Sequence, residues 1–233
     1  MLESGGIPDM KKLAAVGLIA LSALLSLPAS AATVAGTVEF VTRRGQKPTP
    51  AETLVWLDPV ASMRARKPEA AQMITKSKTI IPHVIAVPVG STVAFPNEDP
   101  ILHNLFSVSP SNAFDLGLYK KGAGKSEKFD APGVVNVYCN VHPNMSAVVH
   151  VMGTPYYVFA DSSGGYRIDD VPPGRYRLTA WNEQGGTATR QIEVTESGVK
   201  GETSLTLDSR NVRQKQHLNK SGQPYSRSRS NEY

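Results

Sequence analysis

The chain has 233 residues, 40% of them hydrophobic, which gives room for one large or two small domains with buried cores and excludes a wholly disordered chain. Its formal net charge is +5, and much of the excess sits at the end, where Arg210, Arg213, Lys215, Lys220, Arg227 and Arg229 oppose only Asp208 and Glu232. Such a tail reads as solvated chain, and nucleic acid is excluded as a partner by the export signal at the other end.

That signal comes first in chain order. Lys11 and Lys12 precede the weakly polar to apolar run Leu13–Leu27, Pro28 breaks it, and Ala29-Ser30-Ala31 is a small-x-small cleavage pattern. Residues 1–31 are therefore expected to be a signal peptide, with the mature chain starting at Ala32 in the periplasm. The run is shorter than the ~20 apolar residues a membrane helix needs, so no stable membrane span is expected; an uncleaved anchor is the competing reading. Glu3 and Asp9 fit the start of a signal poorly, which points to Met10 as an alternative translation start.

Beyond the leader, short apolar stretches alternate with turn residues. Gly36–Val41 and Thr53–Leu57 read as strands around an Arg43–Pro50 turn, and residues 60–72 as a connector. Met73–Ile81, His83–Val87, Thr92–Phe95 and Asn104–Val108 read as further strands, the last preceded by a loop at Pro96–Pro100. Residues 109–125 read as a long loop, Ser126–Phe129 as a short strand, Val134–Cys139 as a strong one, and Ala147–Met152 as its closing partner. Tyr156–Ala160 and Tyr166–Ile168 flank an Asp161–Gly165 turn and read as a hairpin; Tyr176–Trp181, Ala188–Val194 and Glu202–Leu207 follow. Strands at this spacing predict an all-β fold of two packed sandwiches.

The chain holds a single cysteine, Cys139, so no internal disulfide can form, and an unpaired thiol in an oxidising compartment has to be buried or used. It opens the run Cys139-Asn140-Val141-His142-Pro143-Asn144-Met145, which sets a thiolate, an imidazole and a thioether three positions apart after a strong strand. Soft sulfur with imidazole selects copper, and two histidines, one cysteine and a long axial methionine make a blue-copper set. The second histidine is His103, on the loop between Pro100 and the strand Asn104–Val108. Zinc has no use for the methionine, and a Cys–His nucleophile pair lacks an orienting third group. His83 and His150 lie inside predicted strands without clustered partners, His217 lies in the tail, and Met152 sits too far down the closing strand to be an axial ligand. A set that closes around the metal leaves no open position for a substrate, so an electron carrier is expected, not an enzyme.

These residues carry a family resemblance. The run Val89-Gly90-Ser91-Thr92-Val93-Ala94-Phe95-Pro96-Asn97, the pair His103-Asn104, the turn Pro132-Gly133, Tyr138-Cys139 and the ligand loop resemble the plastocyanin–amicyanin branch of the cupredoxins, and the short loop is similar to amicyanin's. The resemblance implies a Greek-key β-sandwich holding one type 1 copper ion, cycling between Cu(I) and Cu(II). His103 and His142 would bind through Nδ1, Cys139 as thiolate and Met145 axially, and Asn104 would brace the loop by hydrogen bonds. His142 would be the solvent-side edge for electrons and Tyr138 a second route. Redox proteins, a dehydrogenase or a c-type cytochrome, are the implied partners.

A second resemblance lies in the run from Gly165 to Leu178, with its Pro172-Pro173-Gly174 turn and a strand ending near Trp181. It resembles a smaller sandwich of the carboxypeptidase regulatory-like (transthyretin-like) kind, to which Gly36-Thr37-Val38 and Val55-Trp56-Leu57 add weaker matches. The expected organisation is a signal peptide at 1–31, a cupredoxin domain at 63–152 inserted into a second sandwich made of 32–62 and 153–207, and a disordered basic tail at 208–233; the simpler alternative gives 32–62 to the edge of the cupredoxin domain. Copper holding or delivery, or a non-redox binding module with a structural ion, are the alternative functions.

Overall fold

The computed structural model describes residues 31–44, 46–59, 66–212 and 217–225. The expected leader, apart from Ala31, lies outside them, as does much of the 60–72 connector. Among the described residues no helix is long and apolar enough to cross a membrane.

In chain order the strands are Ala32–Val41 (β1), Leu54–Pro59 (β2), Ala70–Gln72 (β3), Ile74–Lys76 (β4), Thr79–Ile81 (β5) and Val84–Pro88 (β6). Ser91–Asn97 (β7), Leu105–Ser107 (β8), Phe114–Asp115 (β9), Gly122–Phe129 (β10), Gly133–Cys139 (β11) and Ser146–Met152 (β12) follow. Tyr157–Phe159 (β13), Gly165–Val171 (β14), Gly174–Asn182 (β15), Gly186–Thr195 (β16), Gly198–Lys200 (β17) and Leu205–Asp208 (β18) complete the set. The fold is all-β, as composition and turn spacing predict.

The strands form two sandwiches. In the first, the sheet β6-β12-β11-β8-β9 faces β10-β7-β4-β5, whose strand β7 also pairs with β3. Alternate residues of both sheets point inward, and Met73, Val93, Phe95, Phe129, Val135, Val137 and Val149 pack into one core. In the second, β14-β1-β18 faces β13-β2-β15-β16-β17, and Val34, Val38, Val55, Leu57, Ile168, Leu178 and Leu207 share its core. β1 and β2 are thus interior strands of a sandwich whose other strands begin at Tyr157. Residues 70–152 leave and re-enter it between β2 and β13, which pair antiparallel with Tyr157 opposite Trp56.

Several local expectations differ from what is seen. Met73–Ile81 is a tight hairpin, because Ser77 and Lys78 both take positive φ and turn β4 back onto β5. Part of the expected 109–125 loop is strand: Phe114–Asp115 forms β9, β10 starts at Gly122, and a bulge between Gly122 and Lys125 lets it follow β7. Tyr156–Ala160 and Tyr166–Ile168 do not form a hairpin; β13 pairs with β2 and β14 with β1, so the Asp161–Gly165 turn carries the chain from one sheet to the other. The Asp161 carboxylate accepts from the N–H groups of Ser163 and Gly165, closing that turn without strand pairing. The tail is not uniformly free chain either: Asp208 belongs to β18, and residues 217–225 pack against the first sandwich.

A seam joins the sandwiches. Leu54, Met152 and Tyr157 bury one another there, and His150 sits edge-on to Trp181 at 4.3 Å between ring centroids. His83 bridges the seam, its Nε2 at 2.5 Å from Glu183 and its Nδ1 at 3.0 Å from the Ser146 carbonyl oxygen. A ring with an oxygen acceptor at each nitrogen is fully satisfied only as imidazolium, and Glu183 chiefly raises its pKa.

Two outcomes follow. Gly124 has φ +71, and an added Cβ would lie 1.8 Å from the Phe95 carbonyl oxygen, so Gly124→Ala lowers unfolding free energy by about 2–4 kcal/mol in denaturant titrations. The His83–Glu183 contribution is full below the ordinary histidine value of 6.5 and is lost as pH rises through the higher folded-state pKa. The melting temperature therefore falls across that window in the wild type, modestly because both side chains are partly exposed, and Glu183→Gln flattens the dependence.

Candidate metal centre

Strand periodicity places the thiol. Along β11 the buried residues are Val135, Val137 and Cys139, so the cysteine is the last residue on the core face of its strand. Its neighbour Tyr138 turns to the opposite face, where its ring lies 6.0 Å from Phe106. The chain then turns tightly: the Cys139 N–H donates to the Met145 carbonyl at 3.1 Å and the Met145 N–H to the His142 carbonyl at 3.1 Å. β12 begins at once, with Ser146 opposite Tyr138. The loop therefore returns His142 and Met145 to the end of the strand that bears the cysteine.

His103 arrives from the other connection. Leu105 pairs with Cys139 across β8 and β11, which brings residue 103 level with the loop. Its backbone exchanges hydrogen bonds with Tyr119, N–H to carbonyl in both directions at 3.1 and 2.9 Å. The result is a buried trio, His103, Cys139 and His142, whose ligand atoms all lie within 4.8 Å of one another. The sulfur stands 3.8 Å from His103 Nδ1 and 3.5 Å from His142 Nδ1. Met145 is buried in the same core cluster as Cys139.

These distances suit a shared ion. Metal–sulfur and metal–nitrogen bonds of about 2.3 and 2.0 Å, opening at about 110–120°, separate the ligand atoms by about 3.5–3.7 Å. A thiol alone would satisfy only one imidazole, because it has one proton. His103 makes this sharper: its Nε2–H donates to Asp99 Oδ2 at 2.9 Å, so its Nδ1 presents a lone pair to the sulfur. Burial lowers the His103 pKa against the pull of Asp99, keeping the ring neutral and ready to bind. Burial also raises the Cys139 thiol, opposed by N–H groups of Asn104, Val141 and His142. A bound cation would displace that thiol proton.

Asp99 was not singled out by sequence, yet it orients the candidate ligand His103. The N–H groups of Ser77 and Lys78 bind its two oxygens at 2.6 and 3.0 Å, and its own N–H donates to Asn97 Oδ1 at 2.8 Å. Burial pushes its carboxyl up, but the N–H groups of Lys78 and Ser77 and the contact with His103 outweigh this and lower it. The same carboxylate thus stabilises the β4–β5 turn and the histidine tautomer. A carboxylate four residues before a candidate ligand in a proline-flanked turn is the signal that could have found it.

Asn104 braces the loop through its backbone: its carbonyl accepts from the Asn140 N–H at 2.8 Å. Its side chain turns away, to Asp115 at 2.5 Å. The solvent-side edge expected of His142 is covered, since the residue is only 5% exposed. The C-terminal segment lies on the neighbouring residues of the same loop, its His217 ring stacked on Tyr138 at 4.2 Å and in contact with the Pro143 backbone. His83 and His150 lie in the seam, and Met152 packs with Leu54 and Tyr157 there.

Asp99→Ala should lower stability through the lost Ser77 and Lys78 bonds and weaken metal binding by about 10–100-fold in competition titrations with a chelator. Asp99→Asn, which keeps an oxygen for the His103 Nε2–H, should recover most of that loss.

No curated protein matches the chain. A family model described as polysaccharide lyase family 4, domain II, matches residues 131–202, spanning the end of the first sandwich and much of the second; that match is not to a carboxypeptidase regulatory module. Among solved structures, the chain is similar to a purple cupredoxin from Nitrosopumilus maritimus, at 27% identity over 35% of this chain and 99% of that one, with a TM-score of 0.30. An amicyanin variant in its reduced Cu(I) form matches at 23% identity over 42% of this chain and 98% of its own, with a TM-score of 0.34. A copper-containing nitrite reductase from Thermus scotoductus SA-01 matches at 24% identity over 49% of this chain, which spans 28% of that enzyme, with a TM-score of 0.35.

Proposed function

We propose that this chain is an exported copper protein that carries single electrons between other redox proteins. The observation that supports it is the pair of buried imidazole nitrogens facing one buried sulfur at 3.8 and 3.5 Å. Copper, when bound, supplies a one-electron couple between Cu(I) and Cu(II). His103, Cys139 and His142 would hold it, with Met145 as the weak fourth ligand.

The chain's own part is to hold that set still and dry. Thiolate and imidazole suit both oxidation states, so a site braced by Asp99, Asn104 and the short ligand loop has little to rearrange when an electron arrives. Full burial of His103 and Cys139 leaves no room for a substrate molecule beside the ion, which favours a carrier over a catalyst. Tyr138, peptide-bonded to Cys139 and turned off the core face, offers the route outward. A dehydrogenase or c-type cytochrome in the periplasm fits as partner, since the export signal and the cupredoxin resemblance of the ligand loop point the same way.

Copper-loaded protein should show an intense visible sulfur-to-copper absorption and narrow copper hyperfine splitting in its electron-spin spectrum. Cys139→Ser should abolish the absorption and Met145→Gln should shift both signals. Loss of neither in Cys139→Ser would sink the proposal.

A further inference from the structure

The ligand loop is covered by the chain's own C-terminal segment, whose contacts include the Cys139 carbonyl, Tyr138 and Asn140. The Tyr225 hydroxyl donates to the Cys139 carbonyl oxygen at 2.8 Å. His217 Nδ1 lies 3.2 Å from that same hydroxyl and 3.1 Å from the Leu218 carbonyl, which fits one N–H shared between two oxygens. The His217 ring lies nearly parallel to Tyr138, at 17° and 4.2 Å. Lys220 donates its N–H to Asn140 Oδ1 at 3.0 Å and its ammonium to Asp115 Oδ2 at 2.6 Å. Asp115 also accepts from Asn104, so the segment is tied to both loops that carry candidate ligands.

The segment has its own form. Asn219 Oδ1 accepts the N–H groups of Ser221 and Gln223 at 3.0 and 2.9 Å, and Gly222, at φ +72, closes the turn. Residues 217–225 are therefore a folded piece laid on the loop, not a chance crossing of loose chain.

We infer that residues 217–225 are a built-in strap that seals the Cys139 loop, so that dissolved reagents reach the thiol only when the strap lifts. An exported protein with one unpaired cysteine needs such protection, because an accessible thiol forms mixed disulfides and oxidises through sulfenic acid. The strap is held by a few polar contacts and one ring stack, each of modest net strength. It can therefore open locally without the sandwich unfolding.

The test uses metal-free full-length protein, so its result is separate from the copper proposal: the rate of Cys139 alkylation by iodoacetamide is followed by mass spectrometry under native conditions. His217→Ala/Tyr225→Phe should raise the rate by at least about tenfold while the circular dichroism spectrum and melting temperature hold. Lys220→Ala, which removes only the exposed ion pair to Asp115, should raise it by about two- to threefold and serves if the double variant does not fold. Tyr166→Phe, which removes a hydroxyl bond to Thr203 in the second sandwich, should leave the rate at the wild-type level. An unchanged rate in a folded strap variant overturns the inference. Equal acceleration by Tyr166→Phe also overturns it, because access then runs through opening of the whole fold.

Discussion

A sulfur atom sealed in a protein core with two imidazole nitrogens turned toward it is the constraint on which the rest of this molecule depends. Polar groups taken out of water cost free energy unless they find partners, and three ligand atoms of this kind satisfy one another poorly as neutral groups. The surroundings must therefore hold them in place. Asp99 fixes one imidazole, two backbone hydrogen bonds close the Cys139–Met145 loop, and the Asn104 carbonyl ties the two connections together. Each brace is backbone or a short side chain, which leaves little freedom for the ligand atoms to drift.

The sandwich supplies the stiffness behind those braces. The core that contains Cys139 and Met145 also contains Phe95 and Phe129, each of which contributes about 1.5–3 kcal/mol by burial. Phe114 links the two rings, stacked on Phe95 and edge-on to Phe129, both at 5.9 Å. A ligand set standing at the rim of such a core inherits its low compliance. The second sandwich is attached by a seam that is part apolar, through Leu54, Met152 and Tyr157, and part ionic, through His83 and Glu183. The ionic part depends on the charge of His83 and the apolar part does not, so the attachment of the two bodies weakens as pH rises through the His83 pKa.

How much of this could be read from residues alone differs from feature to feature. The all-β class was legible because Gly and Pro punctuation and apolar alternation are local properties. His103, Cys139, His142 and Met145 stood out because few chemistries combine those side chains at that spacing. Asp99 did not, since a carboxylate in a polar loop looks like any solvated acid until the β4–β5 turn is folded over it. The expected hairpin around Asp161–Gly165 failed for a related reason: a turn motif reverses the chain but does not say which strand each arm will pair with. The tail misled because composition averages over charge, whereas docking depends on a few residues, His217, Lys220 and Tyr225, meeting matched partners.

Residue order is enough for the inventory: one thiol, the imidazoles and thioether around it, and the strand-forming pattern that carries them. Chemistry of that kind is written residue by residue and survives without coordinates. Only the folded chain shows which imidazole is held by which carboxylate, that β1 and β2 close a sandwich begun again at Tyr157, and that the Cys139 carbonyl is bonded by the chain's own end. Those outcomes depend on distances between segments far apart in the chain. Such distances are set by the packing of whole sheets, which no local pattern encodes.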